Sequence, residues 1–250
     1  MKRIDKSAAW MCFRGVYNNE VGAQLIDMPQ RYQPGLKGKS KEVSGRSGSV
    51  WIGDDGYGDI EVTVNLAVPE SADRAAVNRW LTGAGWLIFG DEPDLAYEAR
   101  IVKSYKRSNQ FKRLAAQEYT VTFDCQPFKH MWPEPGALSF TESGSSFFNP
   151  GTASALPRVR IDGSGEFAVT IGGQTLYFSG VTDGIIVDSE LMDALTADGA
   201  GNANNQCSGA LWELEPGWNE VSWAIDEPEE GEDPPGSVSA VTILPRWRCI

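Results

Sequence analysis

His130 is the only histidine in 250 residues, so any catalysis that moves a proton through an imidazole must run through this one side chain. It stands beside Met131, Trp132 and Pro133, and no Gly-x-Ser-x-Gly elbow exists to present a serine nucleophile to it. His130 therefore reads as a structural or surface residue. Cys12, Cys125, Cys207 and Cys249 lie far apart with no Cys-x-x-Cys among them, which with a single histidine argues against zinc. "DDGYGD" gathers Asp54, Asp55 and Asp59 in a glycine-rich stretch but lacks the alternating ligands and distal bidentate glutamate of a calcium loop. "GRSGS" (Gly45–Ser49) and "DGSGE" (Asp162–Glu166) have neither the spacing of a phosphate loop nor the Lys-Ser/Thr that follows one, and they read as turns. A glycosidase-like carboxylate pair could be drawn from any of 34 acidic residues, which carries no specificity. The sequence predicts no enzyme, no metal and no cofactor. It points to a binding or structural protein.

Charge sharpens that reading. Residues 1–132 hold 18 of the 22 Lys and Arg and 16 of the 34 Asp and Glu, a net of +2, whereas the remainder holds 4 basic and 18 acidic residues, a net of −14. A break of this size supports a domain boundary near residue 132, and it argues against nucleic acid as a ligand of the second half, because phosphate would be repelled. No apolar run approaches the roughly 18 residues of a membrane span, and "MKRIDKSAAWMCF" lacks a signal-peptide core. Cytoplasmic synthesis is expected, with the cysteines as buried free thiols rather than disulfides.

The elements that would carry these residues are mostly strands. In "DIEVTVNLAV", Ile60, Val62, Val64, Leu66 and Val68 share one face and Glu61, Thr63 and Asn65 the other, the period of two of a half-buried strand. "YEARIVKSY" and "EYTVTFDCQPF" repeat it. "SADRAAVNRWLTG" is the single helix, with Ser71 as its expected cap, Asp73 near its positive dipole end and Gly83 as its stop. Residues 30–50, rich in Gly, Ser and Lys, read as a solvated loop or as an arm that orders on a neighbouring subunit. Proline and serine density over 133–156 predicts a linker. A second all-β domain over 157–250 follows, of short strands "PRVRID", "EFAVTI", "QTLYFS", "GIIVD", "NEVSWAI" and "SVSAVTILPRW" that suggest a sandwich. Gly172-Gly173 marks a two-residue hairpin, and the acidic "DEPEEGEDPPG" an exposed hairpin loop. Nine tryptophans could form a sugar platform, but scattered through strands they suit core packing as well.

The order of several segments resembles the distal tail proteins of long, flexible-tailed bacteriophages: "NNEVGAQLIDMP", "VSGRSGSVWI", "DIEVTVNLAV", a helix ending at Trp-Leu, "GDEPDLAYEARIV" and "EYTVTFDCQPFK" in the first half. In the second half "NPGTASALPRVRIDGSGEFAVTIGG", "GIIVDSELMDAL", "LEPGWNEVSWAI" and "ILPRWR" continue it, so the likeness spans almost the whole chain. The resemblance implies a mainly-β fold: a β-sandwich-like N-terminal domain (1–132) with one helix, a linker (133–156) and a C-terminal galectin-like β-sandwich (157–250). Structural roles in the matching motifs fall on Gly45, Arg46, Gly48, Trp80, Phe123, Pro127, Gly151, Pro157, Asp188, Pro216, Gly217, Asn219, Pro245, Arg246 and Trp247. "GRSG" departs from the commoner acidic third residue and takes a local partner from Arg46. The C-terminal half has no histidine, so the His-Asn-Arg sugar site of true galectins is absent. The function implied is a structural virion protein, non-enzymatic, forming a ring of generally six copies at the tail tip. That ring would join the tail tube protein to the tail hub or tail-associated lysin and anchor receptor-binding proteins, with DNA passing through its lumen and no membrane or cofactor involved. Assembly would take place in the host cytoplasm. Lys37, Lys39 and Lys41 are the candidate subunit contacts. The alternative reading is a carbohydrate-binding host-adhesion module.

Overall fold

The computed structural model describes residues 9–108, 116–225 and 235–250, leaving out the Asp54 and Asp55 side chains. The chain divides into two compact units, Met1–Trp132 with Ile250, and Pro133–Cys249. Both are mainly β.

The first unit is organised by one long strand. β10 (Ala116–Met131) runs antiparallel to β6 (Ile60–Pro69) in unbroken register from Ala116↔Pro69 to Cys125↔Ile60. The sequence dictates this pairing. Ile60, Val62, Val64, Leu66 and Val68 of β6 and Tyr119, Val121, Phe123 and Cys125 of β10 all turn inward and are almost wholly buried. Each such aliphatic side chain contributes about 1.5–3 kcal/mol when removed from water. On the outer face, Thr63 and Thr122 share a hydroxyl hydrogen bond of 3.0 Å. The sheet continues from β10 to β8 (Glu92–Arg100), β7 (Ala84–Phe89), β1 (Met11–Phe13) and β2 (Val16–Tyr17), while β3 (Gln24–Leu25) closes the other side on β6 and β9 (Lys106–Ser108) pairs β10. β1 is covered on both faces, Met11 and Phe13 by the main core and Cys12, with Trp10 just before the strand, by a second cluster containing Ile88 and Ala96.

The helix α1 (Arg74–Trp80) is shorter than its sequence pattern and starts on a different cap. Asp73, not Ser71, accepts from the amides of Ala75 and Ala76 at 2.9 and 3.2 Å. A carboxylate cap adds its charge to the hydrogen bonds at the positive end of the helix. The buried stripe is Val77 and Trp80.

Residues 30–50 differ from a plain loop. β4 (Leu36–Glu42) and β5 (Ser49–Tyr57) form a separate antiparallel ribbon, paired from Glu42↔Ser49 to Leu36↔Tyr57.

In the second unit, β13 (Arg158–Ile171) is a single bent strand, where the sequence reading had placed two strands and a turn at "DGSGE". Its first half lies between β15 (Ile185–Asp188) and β19 (Gly236–Leu244), and its second half between β14 (Gln174–Val181) and β18 (Gly217–Ala224). Bulges interrupt the ladders near where the neighbours change, a feature that bends a strand. Gly165 sits at the bend with φ of 80°, a backbone conformation that side chains disfavour. Inward Val159, Ile161, Phe167, Val169 and Ile171 form the core with Phe178, stacked at 5.0 Å on Phe167, and with fully buried Trp212. Gly172 and Gly173 both have positive φ and close the two-residue β13–β14 turn.

The stretch 133–156 is not simply a linker. β11 (Leu138–Phe140) pairs β19 and β12 (Ser145–Asn149) pairs β18, both within the second unit. Backbone groups that find partners there outweigh the proline and serine composition that suggested a connector. β16 (Asp193–Thr196) and β17 (Cys207–Gly209) complete this sheet on β15 and β14. The acidic segment read as a hairpin loop spans 226–236, of which 226–234 lie outside the described residues. No described helix is long and apolar enough to cross a membrane.

Candidate assembly surfaces

No group of three or more His, Cys, Asp or Glu among the described residues is placed to hold a metal ion. Asp59 instead bonds Arg100 at 2.8 Å, and the same guanidinium bonds Asp124 at 2.9 Å. The His130 ring packs edge-on against Trp86, with centroids 5.1 Å apart. Burial raises the Cys12 thiol to about 11 and the Cys125 thiol to about 12, so neither is a thiolate near neutral pH and neither is a nucleophile. A cleft of about 310 Å³ is lined by Pro29, Arg31, Tyr97, Pro127 and Lys129, but its charges are answered. Arg31 pairs with Asp91 and Glu92, and Lys129 reaches Glu92 at 3.3 Å.

The sequence-predicted positions sort into three places. Gly45, Arg46 and Gly48 form the tip of the β4–β5 ribbon, where Gly45 and Gly48 take φ of about 80° and the Arg46 amide donates to the Val43 carbonyl at 3.2 Å. No described carboxylate makes an ion pair with Arg46. Along the ribbon, Lys37, Lys39 and Lys41 are exposed on β4. Lys39 and Lys41 stand opposite Ile52 and Val50, and so on one face with them, while Trp51 crosses the other face over Gly38. A Cβ on Gly38 would meet the Trp51 ring at 2.5 Å, and one on Gly53 the Lys37 carbonyl at 2.4 Å. Leu36, Trp51 and Ile52 are each more than half exposed. Each ribbon strand pairs only with the other among the described residues, which leaves two open edges.

Trp80, Phe123 and Pro127 belong to the first unit's frame. The Trp80 indole donates to the Phe13 carbonyl at 3.1 Å and Phe123 meets Phe13 edge-on at 5.0 Å. Pro127, which has no N–H to give, sits where the β10–β8 register breaks between Cys125 and Lys129.

The remaining positions pin turns of the second unit. Arg246, held at φ of 52°, clamps Asp188 through two parallel bonds of 2.7 and 2.8 Å and reaches Glu190 at 2.9 Å. Burial works to raise the Asp188 pKa, but the Arg246 bonds and the amides of Leu191 and Glu190 outweigh it and hold the carboxyl below its ordinary range. Pro157 accepts from the Ser189 amide at 3.0 Å, and Trp247 packs near Phe147. Gly151 donates to the Asn149 side chain at 2.8 Å, and a Cβ there would lie 2.3 Å from the Arg248 carbonyl. Buried Asn219 donates to the carbonyls of Glu215 and Gly217, which fixes the Pro216-Gly217 turn, with Gly217 at φ of 99°. Pro245 precedes the clamp residue Arg246. Sequence reasoning missed Asn149 and the Arg31–Asp91–Glu92–Lys129 network. A signal for the first existed in the dyads Phe148-Asn149 and Trp218-Asn219, each an aromatic followed by an asparagine; the second joins residues too distant in sequence to show one.

No family model matches the chain, and no curated protein matches it. Among solved structures it is similar to the SPP1 Dit (gp 19.1) protein, described as a paradigm of the hub adsorption apparatus in phages that infect Gram-positive bacteria. The likeness has a TM-score of 0.69 and 16% identity over 95% of this chain and 98% of that one. From the first unit through the second, this chain therefore has the fold of a phage Dit protein.

Proposed function

We propose that the chain is a structural adaptor of a phage tail tip, a ring of about six copies that joins the tail tube protein to the hub or tail-associated lysin and offers its galectin-like second unit to receptor-binding proteins. The observation that carries this reading is the near-complete two-way coverage of the Dit fold. The exposed β4–β5 ribbon supports it. A lone two-stranded ribbon is marginal in water, and open edges with exposed Trp51 and Ile52 invite a second chain. Lys37, Lys39 and Lys41 give the ribbon a basic face for acidic groups of the next copy. Contacts of this head-to-tail kind are heterologous and close into a ring when the rotation allows. The two domains are residues 1–132, which form the ring, and the rest of the chain. The motif residues act by packing the first unit's frame and holding turns in place rather than by touching a ligand. DNA would pass through the lumen without specific contacts, and assembly would occur in the host cytoplasm.

Light scattering and negative-stain microscopy of the whole protein test it. A closed ring with a mass near six times 27.3 kDa is expected. A monomer at every concentration and ionic strength, with no ring in the micrographs, overturns it.

A further inference from the structure

An exposed aromatic on its own needs no explanation. Phe148 and Trp218 are different, because they stand directly opposite each other on β12 and β18. They meet edge-to-face, with ring centroids 5.5 Å apart and planes at 68°. Phe148 is 52% and Trp218 76% exposed, so the indole keeps an open surface. The residue after each is a buried asparagine that holds the backbone from below: Asn149 donates to the Leu214 carbonyl at 2.9 Å and Asn219 to those of Glu215 and Gly217. These bonds hold the backbone beneath the two rings in place before any ligand arrives, which lowers the ordering cost of binding. Alternation places Glu220 on the same face two residues along β18, about 7 Å away, with Ser146 opposite it on β12. Both are exposed, and no described cation pairs with Glu220.

We propose that Trp218 and Phe148, with Glu220 and Ser146, form a binding platform for a neutral saccharide. The apolar C–H face of a pyranose lies on the indole, and its hydroxyls donate to the Glu220 carboxylate and exchange hydrogen bonds with Ser146. Size argues for this occupant. Two rings offer on the order of 300 Å², well short of the roughly 800 Å² per partner of a stable protein interface. Charge argues for neutrality. The chain from residue 133 onward carries a net of −14, and a carboxylate beside the indole repels phosphate-bearing polymers. The platform uses no histidine, so the absence of a galectin-type site does not bear on it. It stands independently of the ring, since a monomer would present the same four side chains.

The test is affinity electrophoresis of the full-length protein through native gels containing dextran, a β-1,3-glucan or a galactomannan, with poly(glycerol phosphate) as the polyanionic counterpart. Retardation is expected in at least one neutral gel and none in the polyanion. Trp218→Ala and Phe148→Ala should weaken it at least about tenfold, the loss typical of a central aromatic contact. Glu220→Gln should weaken it less, and Leu191→Ala, an exposed apolar residue elsewhere in the unit, should leave it unchanged. Should Trp218→Ala lose its native near-ultraviolet spectrum, Trp218→Phe carries the test with an expected intermediate affinity. No retardation in any neutral gel, retardation indifferent to both Trp218 variants, or Trp218-dependent retention by the polyanion overturns the proposal.

Discussion

The Asp188–Arg246 clamp joins residues 58 positions apart, and its energetics follow from burial. The Asp188 side chain is 3% exposed and that of Arg246 18%, so removing the cation leaves a carboxylate in a poorly solvated place. Arg246→Ala should lower unfolding free energy by about 3 kcal/mol, read from urea midpoints at constant slope. Asp188 has its folded pKa depressed, so its stabilising contribution is complete above the ordinary aspartate value near 3.9. That contribution is lost as pH falls through this value toward the lower folded one. Asp188→Asn should flatten that part of the acid limb, and an unchanged limb would contradict the assignment. Thiols give a second residue-scale outcome. Cys12 and Cys125, raised to about 11 and 12, should resist a disulfide-exchange reagent at pH 8 in the native protein and react in guanidinium. Fast native labelling of either would contradict their burial. Neither the clamp nor the Asn149–Leu214 support announces itself through local spacing, because its partner is distant in the chain, whereas the Asn219 contacts are local; the resemblance pointed to Asp188, Arg246 and Asn219 without giving their contacts.

Strands with one wet face are legible in the sequence, and the rest are not, for a physical reason. Alternation over Ile60–Val68 and Tyr119–Cys125 survives because one side of each strand meets a core and the other meets water. The ribbon Leu36–Tyr57 has no core face, so its Lys, Gly and Ser composition carries no alternation to read. β11 and β12 are hidden among prolines and serines because they are short and their partners, β19 and β18, lie about 70–105 residues away. The helix cap was misplaced by two residues, since Ser71 and Asp73 both satisfy the composition rule and only geometry decides. The ribbon also yields an experiment. Leu36 and Tyr57 pair across its base and no described side chain between them enters the main core. Replacing 37–56 by a short glycine turn should therefore leave the thermal midpoint of the unit unchanged while yielding a monomer by light scattering. A shortened protein that still forms rings would remove the ribbon from assembly.

At the scale of the whole molecule, charge and connectivity act together. If the first unit builds the ring, residues 1–132 alone should associate and residues 133–250 should stay monomeric, because several domains at −14 each repel when crowded round an axis and are better spread into screening solvent. The cut belongs after Trp132, because a later one would remove β11 or β12 from their partners. Light scattering of the two pieces checks this, and a self-associating second piece with a monomeric first would reverse the assignment. The bent strand β13 has a further consequence, and it concerns time. One of its neighbours, β19, pairs Arg158 with Leu244, 86 residues later in the chain. At about 5–20 residues per second, a ribosome that has made β13 needs several seconds more to supply β19. During that interval β13 has β14 and β15 but lacks one flank. Ribosome-stalled chains ending before Gly236 should be cut readily by protease within 158–171, and chains released after Leu244 should not. The second unit thus completes its sheet only once β19 has emerged, well after residues 1–132 have been made.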